Sequence, residues 1–315
     1  MTPATQATRS IRRVLVIFPG ALGDLMCLMP ALSAISRRHR GASVELMARF
    51  ELGRLVAGRS VVARAHSIDA REVGVLFADE TPLNPNARRF FGEFDRIYSF
   101  FASDDARFRE RLAAATDAEV SFHSFRPIGE GHVSEGYLRA VSEDASMLDA
   151  RLEPTADDLA AACVLLESKC DLSNLVVIFP GSGSPAKNWP ADMFAALVST
   201  LSKRASVAVI LGPAEASIEP IFREAGVPVL KDLDLPTVAA IASVASAFVA
   251  NDSGVAHLAA AVGASGVVIF GPTDPVRWRP VGSGEIDILR REPIDSVETR
   301  EVVGALLKFV ERRQR

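Results

Sequence analysis

One five-residue segment occurs twice in this chain, once near the start of each half. The residues Val16–Gly20 are Val-Ile-Phe-Pro-Gly, and the same five residues recur at Val177–Gly181. In both places an apolar, β-branched run ends in Pro-Gly and a helical pattern follows, which is typical of a buried parallel strand opening a βα unit. Each half is therefore predicted to begin like a nucleotide-binding domain, with ligands in the cleft beyond the carboxyl ends of the strands.

Length and composition favour a two-domain globular enzyme. The chain has 315 residues, of which 49% are hydrophobic and 23% charged, and its formal net charge is -4. This length suits two domains of roughly 150 residues each, and so small a net charge argues against a nucleic-acid partner. The polar start Met1–Gln6 lacks a signal-like apolar core, and no apolar run is long enough to span a bilayer. The protein is expected to be cytoplasmic.

The cysteines and arginines give weaker information. Cys27, Cys163 and Cys170 have no metal-ligand spacing, so they are interpreted as reduced structural thiols, and no metal site is predicted. Up to Pro154 the basic residues are all arginine and are offset by as many acids, while every lysine comes later. This asymmetry has two explanations, a GC-rich genome or an arginine-rich half that grips an anionic acceptor through bidentate contacts.

Hydrophobic periodicity predicts alternating strands and helices, most regularly after Asn174. The predicted strands are Val14–Phe18, Val44–Ala48, Arg96–Phe100, Ala118–Ser124, Leu175–Phe179, Val207–Leu211, Pro228–Leu230, Ala247–Ala250 and Val267–Phe270. The predicted helices after the first βα unit are His132–Ser146, Asp157–Lys169, Ala191–Leu201, Ala216–Ala225, Leu235–Val244, Val255–Val262 and Ile294–Arg312. This alternation indicates parallel sheets with right-handed crossovers. The predicted divisions are an N-terminal domain (1–155), a linker helix region (156–173), a C-terminal domain (174–293) and a last helix (294–315) that crosses back to the N-terminal domain.

The segment after the predicted strand Ala247–Ala250 suits a diphosphate. Asn251, Asp252, Ser253 and Gly254 form the turn into a helix, where free backbone N–H groups and the positive end of the helix dipole meet. His257 lies about one turn further, within reach of the same anion. The competing interpretation is ordinary helix capping by Asp252 or Ser253, with His257 merely helical.

The loop Pro180–Pro190 carries glycines, serines and a lysine after a predicted strand. A Walker A loop needs Gly directly before the Lys and Ser or Thr directly after it, whereas Ala186 and Asn188 flank Lys187. A P-loop ATPase is therefore disfavoured. Lys187 either neutralises a phosphate or is a solvated loop cation.

The loop Gly20–Asp24 follows the first predicted strand. Gly20 and Gly23 permit a tight turn, and Asp24 is expected at the carboxyl end of the strand, pointing toward the cleft. Capping of the next helix is the alternative role for Asp24. The spacing of the two glycines lacks the three-glycine dinucleotide fingerprint, so a nicotinamide dehydrogenase is weakly supported.

Taken together, these segments resemble glycosyltransferase family 9, the bacterial heptosyltransferases of lipopolysaccharide core synthesis. The segments that carry the resemblance are Gly20–Leu32, Phe179–Phe194, Val209–Glu215 and Val249–Trp278. The resemblance implies the α/β fold called GT-B, in which two Rossmann-like domains with parallel sheets face a central cleft. It also implies an acceptor held by the first domain, a nucleotide sugar held by the second, and inversion at the anomeric carbon without a metal or other cofactor.

The resemblance also implies roles for individual residues. Asp24 matches the proposed general base on the acceptor hydroxyl, on a loop with Gly20 and Gly23, and Lys187 matches a lysine that contacts the donor diphosphate. The residues implied in donor binding are Gly181, Ser182, Ser184, Lys187, Glu215, Asp252, Ser253, Gly254 and His257. Glu215 falls where the family has an acidic residue near the donor nucleoside, and Ser253 replaces the usual Thr while keeping the hydroxyl.

The sequence therefore predicts an inverting, metal-independent transfer of a sugar, most simply heptose from ADP-heptose, onto a lipopolysaccharide-core or related cell-surface saccharide or glycolipid acceptor. Contact with the cytoplasmic face of the inner membrane is expected to be peripheral. Two alternatives stay open, a sugar-nucleotide epimerase of the same fold and a catalytically silent sugar-nucleotide-binding protein.

Overall fold

The computed structural model describes residues 11–78, 82–142, 147–148 and 150–313. The strands are β1 (Arg13–Ile17), β2 (Ser43–Ala48), β3 (Val62–Ser67), β4 (Arg96–Ser99), β5 (Glu119–Phe122), β6 (Leu175–Phe179), β7 (Ser206–Leu211), β8 (Val229–Lys231), β9 (Ala247–Asn251), β10 (Gly266–Phe270) and β11 (Ile286–Arg290). The helices are α1 (Leu22–Arg38), α2 (Phe50–Val56), α3 (Arg71–Gly74), α4 (Pro85–Phe91), α5 (Ala106–Ala114), α6 (Val133–Val141), α7 (Ala156–Glu167), α8 (Ala191–Leu201), α9 (Glu219–Glu224), α10 (Leu235–Val244), α11 (Gly254–Ala261), α12 (Pro275–Trp278) and α13 (Thr299–Arg313). Short 3₁₀ turns lie at Leu172–Asn174, Pro185–Lys187, Pro213–Ile218 and Ile294–Ser296.

The strands form two separate parallel sheets, one in each half of the chain. The N-terminal sheet has the order β3-β2-β1-β4-β5, and the C-terminal sheet has the order β11-β10-β9-β6-β7-β8. The two copies of the repeated segment begin in β1 and β6 and continue past the carboxyl ends of these strands, which both lie inside their sheets with neighbours on each side. Their side chains are buried on both faces, which explains the unbroken apolar runs that the sequence shows there. The predicted α/β class and parallel winding are confirmed.

The two domains pack tightly against each other along helices that start or end near the cleft. Helix α1 contacts α11, and α7 contacts α10, so elements from both halves share one apolar core cluster. At one edge of the interface the Arg277 guanidinium donates hydrogen bonds to the backbone oxygens of Pro127, at 2.6 Å, and Gly129, at 2.8 Å. The ring of His132 lies 2.8 Å from the backbone oxygen of Arg279 at the same edge.

The last helix does not follow the prediction. Helix α13 packs against α8, β9 and β10, and its apolar stripe of Val302, Leu306, Phe309 and Val310 joins the core of the C-terminal domain. For the described residues 294–313, the expectation that the last helix crosses back to the N-terminal domain is therefore wrong, and residues 314–315 of that prediction lie outside the described part of the chain. The stripe repeats at helical spacing and is fully used in covering the C-terminal sheet.

Other differences from the predicted elements have local causes. The helix expected at Ala216–Ala225 begins only at Glu219, after a 3₁₀ turn, because Pro220 is tolerated in the first helical turn and not in the interior. The helix expected at His132–Ser146 ends at Val141, and residues 143–146 of that prediction lie outside the described residues.

No helix within the described part of the chain has the length and apolar character needed to cross a membrane.

Candidate active site

A cavity of about 410 Å³ lies between the two domains, at the carboxyl ends of the strands. The N-terminal domain contributes the loop Ala21–Gly23, which leads into α1. The C-terminal domain contributes residues after four of its strands, namely Gly181, Ser182, Gly183, Gly212, Pro213, Glu215, Asp232, Leu233, Ser253 and Gly254. The cavity therefore occupies the position at which parallel α/β sheets bind ligands.

The start of helix α11 presents an unused polar group to this cavity. Ser253 is the N-cap residue in extended conformation, and its buried Oγ has no hydrogen-bond partner among the described residues. The backbone N–H groups of the first helical turn and the positive end of the dipole lie beside it. An oxygen-rich anion would satisfy all of these donors, so the geometry suits a phosphate.

Glycine at position 254 permits a close approach of the two domains. A Cβ atom there would lie 3.0 Å from Cβ of Leu22 and 3.1 Å from the backbone nitrogen of Gly23. The amino-terminal ends of α1 and α11 therefore meet at this point, one from each domain. Two positive helix ends converge on the same cavity.

Lys187 and Asp252 form an ion pair beside the start of α11. The Lys187 Nζ atom lies 2.7 Å from Oδ2 of Asp252, whose side chain is 5% exposed, while that of Lys187 is 33% exposed. Asp252 is anchored in turn by its backbone N–H, which donates to the oxygen of Ile269. The Lys187 ammonium has three donors, so it retains N–H groups for a second anion while it contacts Asp252.

Asn251 connects the ends of β6 and β9 below the lysine loop. Its buried Nδ2 donates to the backbone oxygen of Pro180 at 2.7 Å, and its Oδ1 accepts from the backbone N–H of Trp189 at 3.0 Å. Both ends of the loop Pro180–Trp189 are thereby tied to one amide side chain. This brace fixes the position from which Lys187 reaches Asp252.

The glycine and serine part of that loop is built around tight contacts. The Ser182 hydroxyl donates to the backbone oxygen of Ser184, and the N–H of Ser184 donates back to Ser182 Oγ. The Glu215 carboxylate lies against Gly181, where a Cβ atom would be 2.2 Å from Glu215 Oε1. Gly181, Ser182 and Glu215 therefore line one wall of the cavity together.

Asp24 lies in the first turn of α1, directly after the cavity-lining residues Ala21, Leu22 and Gly23. Its Oδ2 accepts a hydrogen bond from the backbone N–H of Ala21 at 3.0 Å, and its Oδ1 has no hydrogen-bond partner in the described part of the chain. Gly20 is required here because a Cβ atom would lie 2.4 Å from the ring of Phe18 and 2.7 Å from Cβ of Asp24. Asp24 thus combines a capping bond with one free carboxylate oxygen.

His257 lies beneath the contact of α1 with α11 instead of on the cavity wall. The residue is 4% exposed, and its Nδ1 lies 3.7 Å from Cys27 Sγ. Burial lowers the pKa of His257 to about 4, against a smaller opposing effect of the Asp252 carboxylate. Burial also raises the pKa of the Cys27 thiol to about 12. Both groups are therefore neutral near pH 7.

A sequence profile of glycosyltransferase family 9 (heptosyltransferase) matches residues 134–301, more than half of the chain. The chain belongs to glycosyltransferase family 9. Comparison with curated proteins at the sequence level found no match.

Several solved structures have the same fold as this family 9 glycosyltransferase. The glycosyl transferase family 9 from Veillonella parvula has a TM-score of 0.80 at 17% identity, covering 96% of this chain and 97% of that one. E. coli ADP-heptose lps heptosyltransferase II has a TM-score of 0.76 at 18% identity, covering 96% and 100%. E. coli heptosyltransferase WaaC with ADP has a TM-score of 0.68 at 18% identity, covering 96% and 99%. The predicted GT-B fold and the glycosyltransferase class of this enzyme are confirmed.

The glycosyltransferase fold brings most of the residues singled out in the sequence to one cavity. Gly23, Gly181, Ser182, Glu215, Ser253 and Gly254 line it. Asp24 and Asp252 adjoin the lining residues Gly23 and Ser253 in the chain, and Lys187 is paired with Asp252. His257 is in the domain interface. Their donor-binding and catalytic roles stay predictions.

Sequence reasoning missed Asn251 as a brace and Asp232 as a cavity residue of this glycosyltransferase. Asp232 follows β8 with φ of 57°, in the left-handed region that non-glycine residues seldom adopt. Its position two residues after the predicted strand Pro228–Leu230 was the available signal. The bonds of Asn251 join segments far apart in the sequence, so no local pattern reveals them.

Proposed function

We propose that this enzyme is an inverting heptosyltransferase that transfers heptose from ADP-heptose to a saccharide or glycolipid acceptor of the lipopolysaccharide core or a related cell-surface glycan. The family assignment supports sugar transfer, and E. coli heptosyltransferase WaaC has been solved with ADP and with ADP-2-deoxy-2-fluoro heptose. The observation that carries the proposal is the cavity in which Ser253 and Gly254 face the loop Ala21–Gly23 that precedes Asp24.

In this proposal the nucleoside diphosphate binds with its phosphates at the start of α11. The Ser253 hydroxyl and the backbone N–H groups there donate to the phosphate oxygens, and Lys187 contributes a charge-assisted bond. Negative charge grows on the departing diphosphate during transfer, so fixed donors at this position stabilise the transition state more than the ground state.

Asp24 is the proposed general base. The free oxygen Oδ1 takes the proton of the acceptor hydroxyl as that oxygen attacks the anomeric carbon, while Oδ2 keeps the carboxylate oriented through Ala21. Attack from the N-terminal side and departure of the diphosphate toward the C-terminal side occur on opposite faces of the sugar. That arrangement gives inversion.

Lys187 and the helix start supply the positive charge that a metal supplies in other sugar transferases, so we propose that transfer needs no metal. The test is transfer measured with purified enzyme in the presence of excess EDTA. Unchanged rates are expected, and a loss of activity that magnesium or manganese restores would contradict this part of the proposal.

The function itself is tested by incubating the enzyme with ADP-heptose and with acceptors extracted from lipopolysaccharide-core mutants, followed by mass spectrometry. The expected result is an acceptor heavier by one heptose, with release of ADP. Conversion of the donor sugar without an acceptor would indicate an epimerase, and donor binding without any turnover would indicate a silent binding protein.

We also propose that the enzyme works at the cytoplasmic face of the inner membrane, in peripheral contact with it, because a glycolipid acceptor would be presented there.

A further inference from the structure

A cavity of about 500 Å³ lies where the last turns of α1 and α6 approach the edge of the N-terminal sheet formed by β4 and β5. The residues of its lining used below are Arg38, Arg96, Tyr98, His123, Arg139 and Val141. It shares no lining residue with the cavity between the two domains. At a rise of about 1.5 Å per residue, Arg38 lies about 21 Å along α1 from Asp24. This cavity is therefore remote from the proposed site of sugar transfer.

Arg96 brings a buried positive charge to the wall of this cavity. The residue is 8% exposed, and its Cζ lies 4.6 Å from the centre of the buried Tyr98 ring. Its Nη2 donates to Oγ of Ser121 at 3.2 Å, and its Nη1 pairs with the carboxylate of Glu119, whose side chain is 81% exposed. Water screens so exposed a carboxylate, so it compensates the buried guanidinium only in part.

Two exposed arginines complete the charge of the cavity. Within the described part of the chain, Arg38 donates to the backbone oxygen of Val141 at 3.3 Å, and Arg139 pairs with Glu135 at 3.3 Å. A guanidinium has five N–H donors, so each arginine keeps several for a ligand. Basic residues in the last turn of a helix also offset the negative end of its dipole. That role does not explain Arg96, which begins a strand.

The pKa values of two neighbouring histidines indicate the sign of the local electrostatic potential. Burial lowers the pKa of His123, and the positive charge of Arg96 lowers it further. The pKa of His39, whose Nε2 lies 2.8 Å from the hydroxyl oxygen of the cavity tyrosine, is lowered by burial and then by Arg38 and Arg96. Glu119 raises the pKa of His39 by less than either arginine lowers it. The potential is therefore positive even with Glu119 present.

The chemistry of the lining indicates the class of ligand. Among the described residues, the lining has three arginines and no carboxylate. The planar fork of a guanidinium donates two parallel hydrogen bonds to two oxygens of one phosphate. A phosphate would also compensate the buried charge of Arg96, which a neutral ligand leaves unchanged. The volume is sufficient for a phosphate monoester with a small organic group.

We propose that this cavity binds a phosphate group, either free in solution or on a lipid headgroup, at a site separate from both substrates of the transfer reaction. The site does not depend on the proposed function, because it lies at the opposite end of α1 from Asp24. Three arginines of the N-terminal half thereby bind an anion that is not the acceptor.

The test is a calorimetric titration of inorganic phosphate into enzyme saturated with ADP, which keeps the cavity between the domains filled. Wild type is expected to bind one phosphate per chain. Arg38→Gln with Arg139→Gln removes two exposed cations of the cavity and should weaken this binding roughly tenfold or more. The control is Arg37→Gln with Arg40→Gln, which changes the net charge equally at exposed positions outside the lining. It should bind phosphate like wild type.

The buried cation is tested by Arg96→Gln, with ADP binding as the measure of correct folding. This variant should lose phosphate affinity by roughly tenfold or more and bind ADP like wild type. Three results would overturn the proposal: no phosphate bound by ADP-saturated wild type, equal affinities in the cavity and control double variants, or unchanged phosphate affinity in folded Arg96→Gln.

A vesicle assay then distinguishes the two sources of phosphate. Wild type is sedimented with vesicles of phosphatidylcholine alone and with vesicles that also contain phosphatidic acid, which carries a phosphate monoester. Cosedimentation with phosphatidic acid that the Arg38→Gln, Arg139→Gln variant loses and the control variant keeps would identify a lipid headgroup as the ligand. Phosphate binding by calorimetry without such cosedimentation would identify a soluble phosphate.

Discussion

The Lys187 ammonium lies 2.7 Å from the Asp252 carboxylate, across the gap between the β6 loop and the end of β9. Asp252 is almost fully buried, and the lysine is two-thirds covered. Without a ligand the lysine compensates a buried negative charge, so it is neither a freely solvated loop residue nor a group reserved for phosphate. Its position is set by the fold before any donor arrives.

Lys187→Ala is therefore expected to affect stability as well as activity. The substitution leaves the Asp252 carboxylate buried without its cation, which should cost about 1 to 2 kcal/mol of unfolding free energy for a partly exposed pair. Chemical denaturation measures this cost. Transfer should also slow because one charge-assisted contact to the diphosphate is lost.

The double variant Lys187→Ala, Asp252→Asn is the control for the stability effect. It removes the uncompensated charge and should recover most of the lost stability while transfer stays slow. Equal unfolding free energies of wild type and Lys187→Ala would indicate that Lys187 is a solvated cation and does not compensate Asp252.

Asn251→Asp tests the brace between β6 and β9. The aspartate keeps the acceptor for Trp189 but loses the donor to Pro180 and places a buried charge beside that carbonyl oxygen. A loss of at least about 2 kcal/mol of unfolding free energy is expected, together with weaker ADP binding. Asn174→Asp is the matched control, since its side chain only accepts a bond from Ser206 and is half-exposed. A small loss of unfolding free energy in Asn251→Asp together with a large loss in Asn174→Asp would contradict the role of Asn251 as a brace.

His257 should make the folded state sensitive to mild acid. Burial lowers its pKa to about 4, whereas the unfolded chain has the ordinary value of 6.5. Below pH 6.5 the unfolded state binds more protons, so the unfolding free energy falls as the pH drops from about 6.5 to about 4 and is unaffected by this group above that range. Between pH 7 and pH 5 the contribution is at most about 2 kcal/mol.

The measurement is urea denaturation of wild type and His257→Gln at both pH values. Glutamine removes the titration, so the variant should lose less stability between pH 7 and pH 5 than wild type does. Parallel losses in the two proteins would show that His257 is not held neutral by the interface.

Gly254→Ala tests the contact between the two domains. The new Cβ would lie 3.0 Å from Leu22 and 3.1 Å from the Gly23 backbone, so α1 and α11 must separate by a few tenths of an ångström. Overpacking of this kind costs roughly 1 to 3 kcal/mol, and ADP binding should weaken because the cavity lies at the same contact.

Gly23→Ala provides the comparison, because its Cβ would lie 3.5 Å from Gly254 Cα, an ordinary contact distance. The Gly23→Ala variant should have a higher midpoint temperature of thermal unfolding than the Gly254→Ala variant. A lower midpoint temperature for Gly23→Ala than for Gly254→Ala would mean that Gly254 does not pack closely against Leu22 and Gly23.

The sequence predicted much of the C-terminal domain because the four inner strands of its sheet, β10, β9, β6 and β7, are buried on both faces. The bounds of β6, α8 and α10 agree with the prediction to the residue. Strands β3 and β11 were missed, since both lie at sheet edges and carry polar residues such as Arg64, His66 and Asp287, which break the apolar pattern.

The sequence predicted those parts of the candidate site that lie within one continuous segment. It did not predict the contacts that join segments far apart in the chain. The turn at Ser253 and Gly254 was visible because a strand end and a helix start adjoin in the chain. The Lys187–Asp252 pair and the Asn251 brace join residues more than sixty positions apart, so only the fold reveals them.

The assignment of Asp24 as the base of the glycosyl transfer is tested most directly by Asp24→Asn. Asparagine retains an oxygen that accepts the bond from Ala21, so the variant should unfold like wild type and bind ADP equally well. Because the amide cannot take the acceptor proton, the turnover number with ADP-heptose and acceptor should fall by about 100-fold or more. A variant that folds, binds ADP and turns over at more than about a tenth of the wild-type rate would contradict the claim.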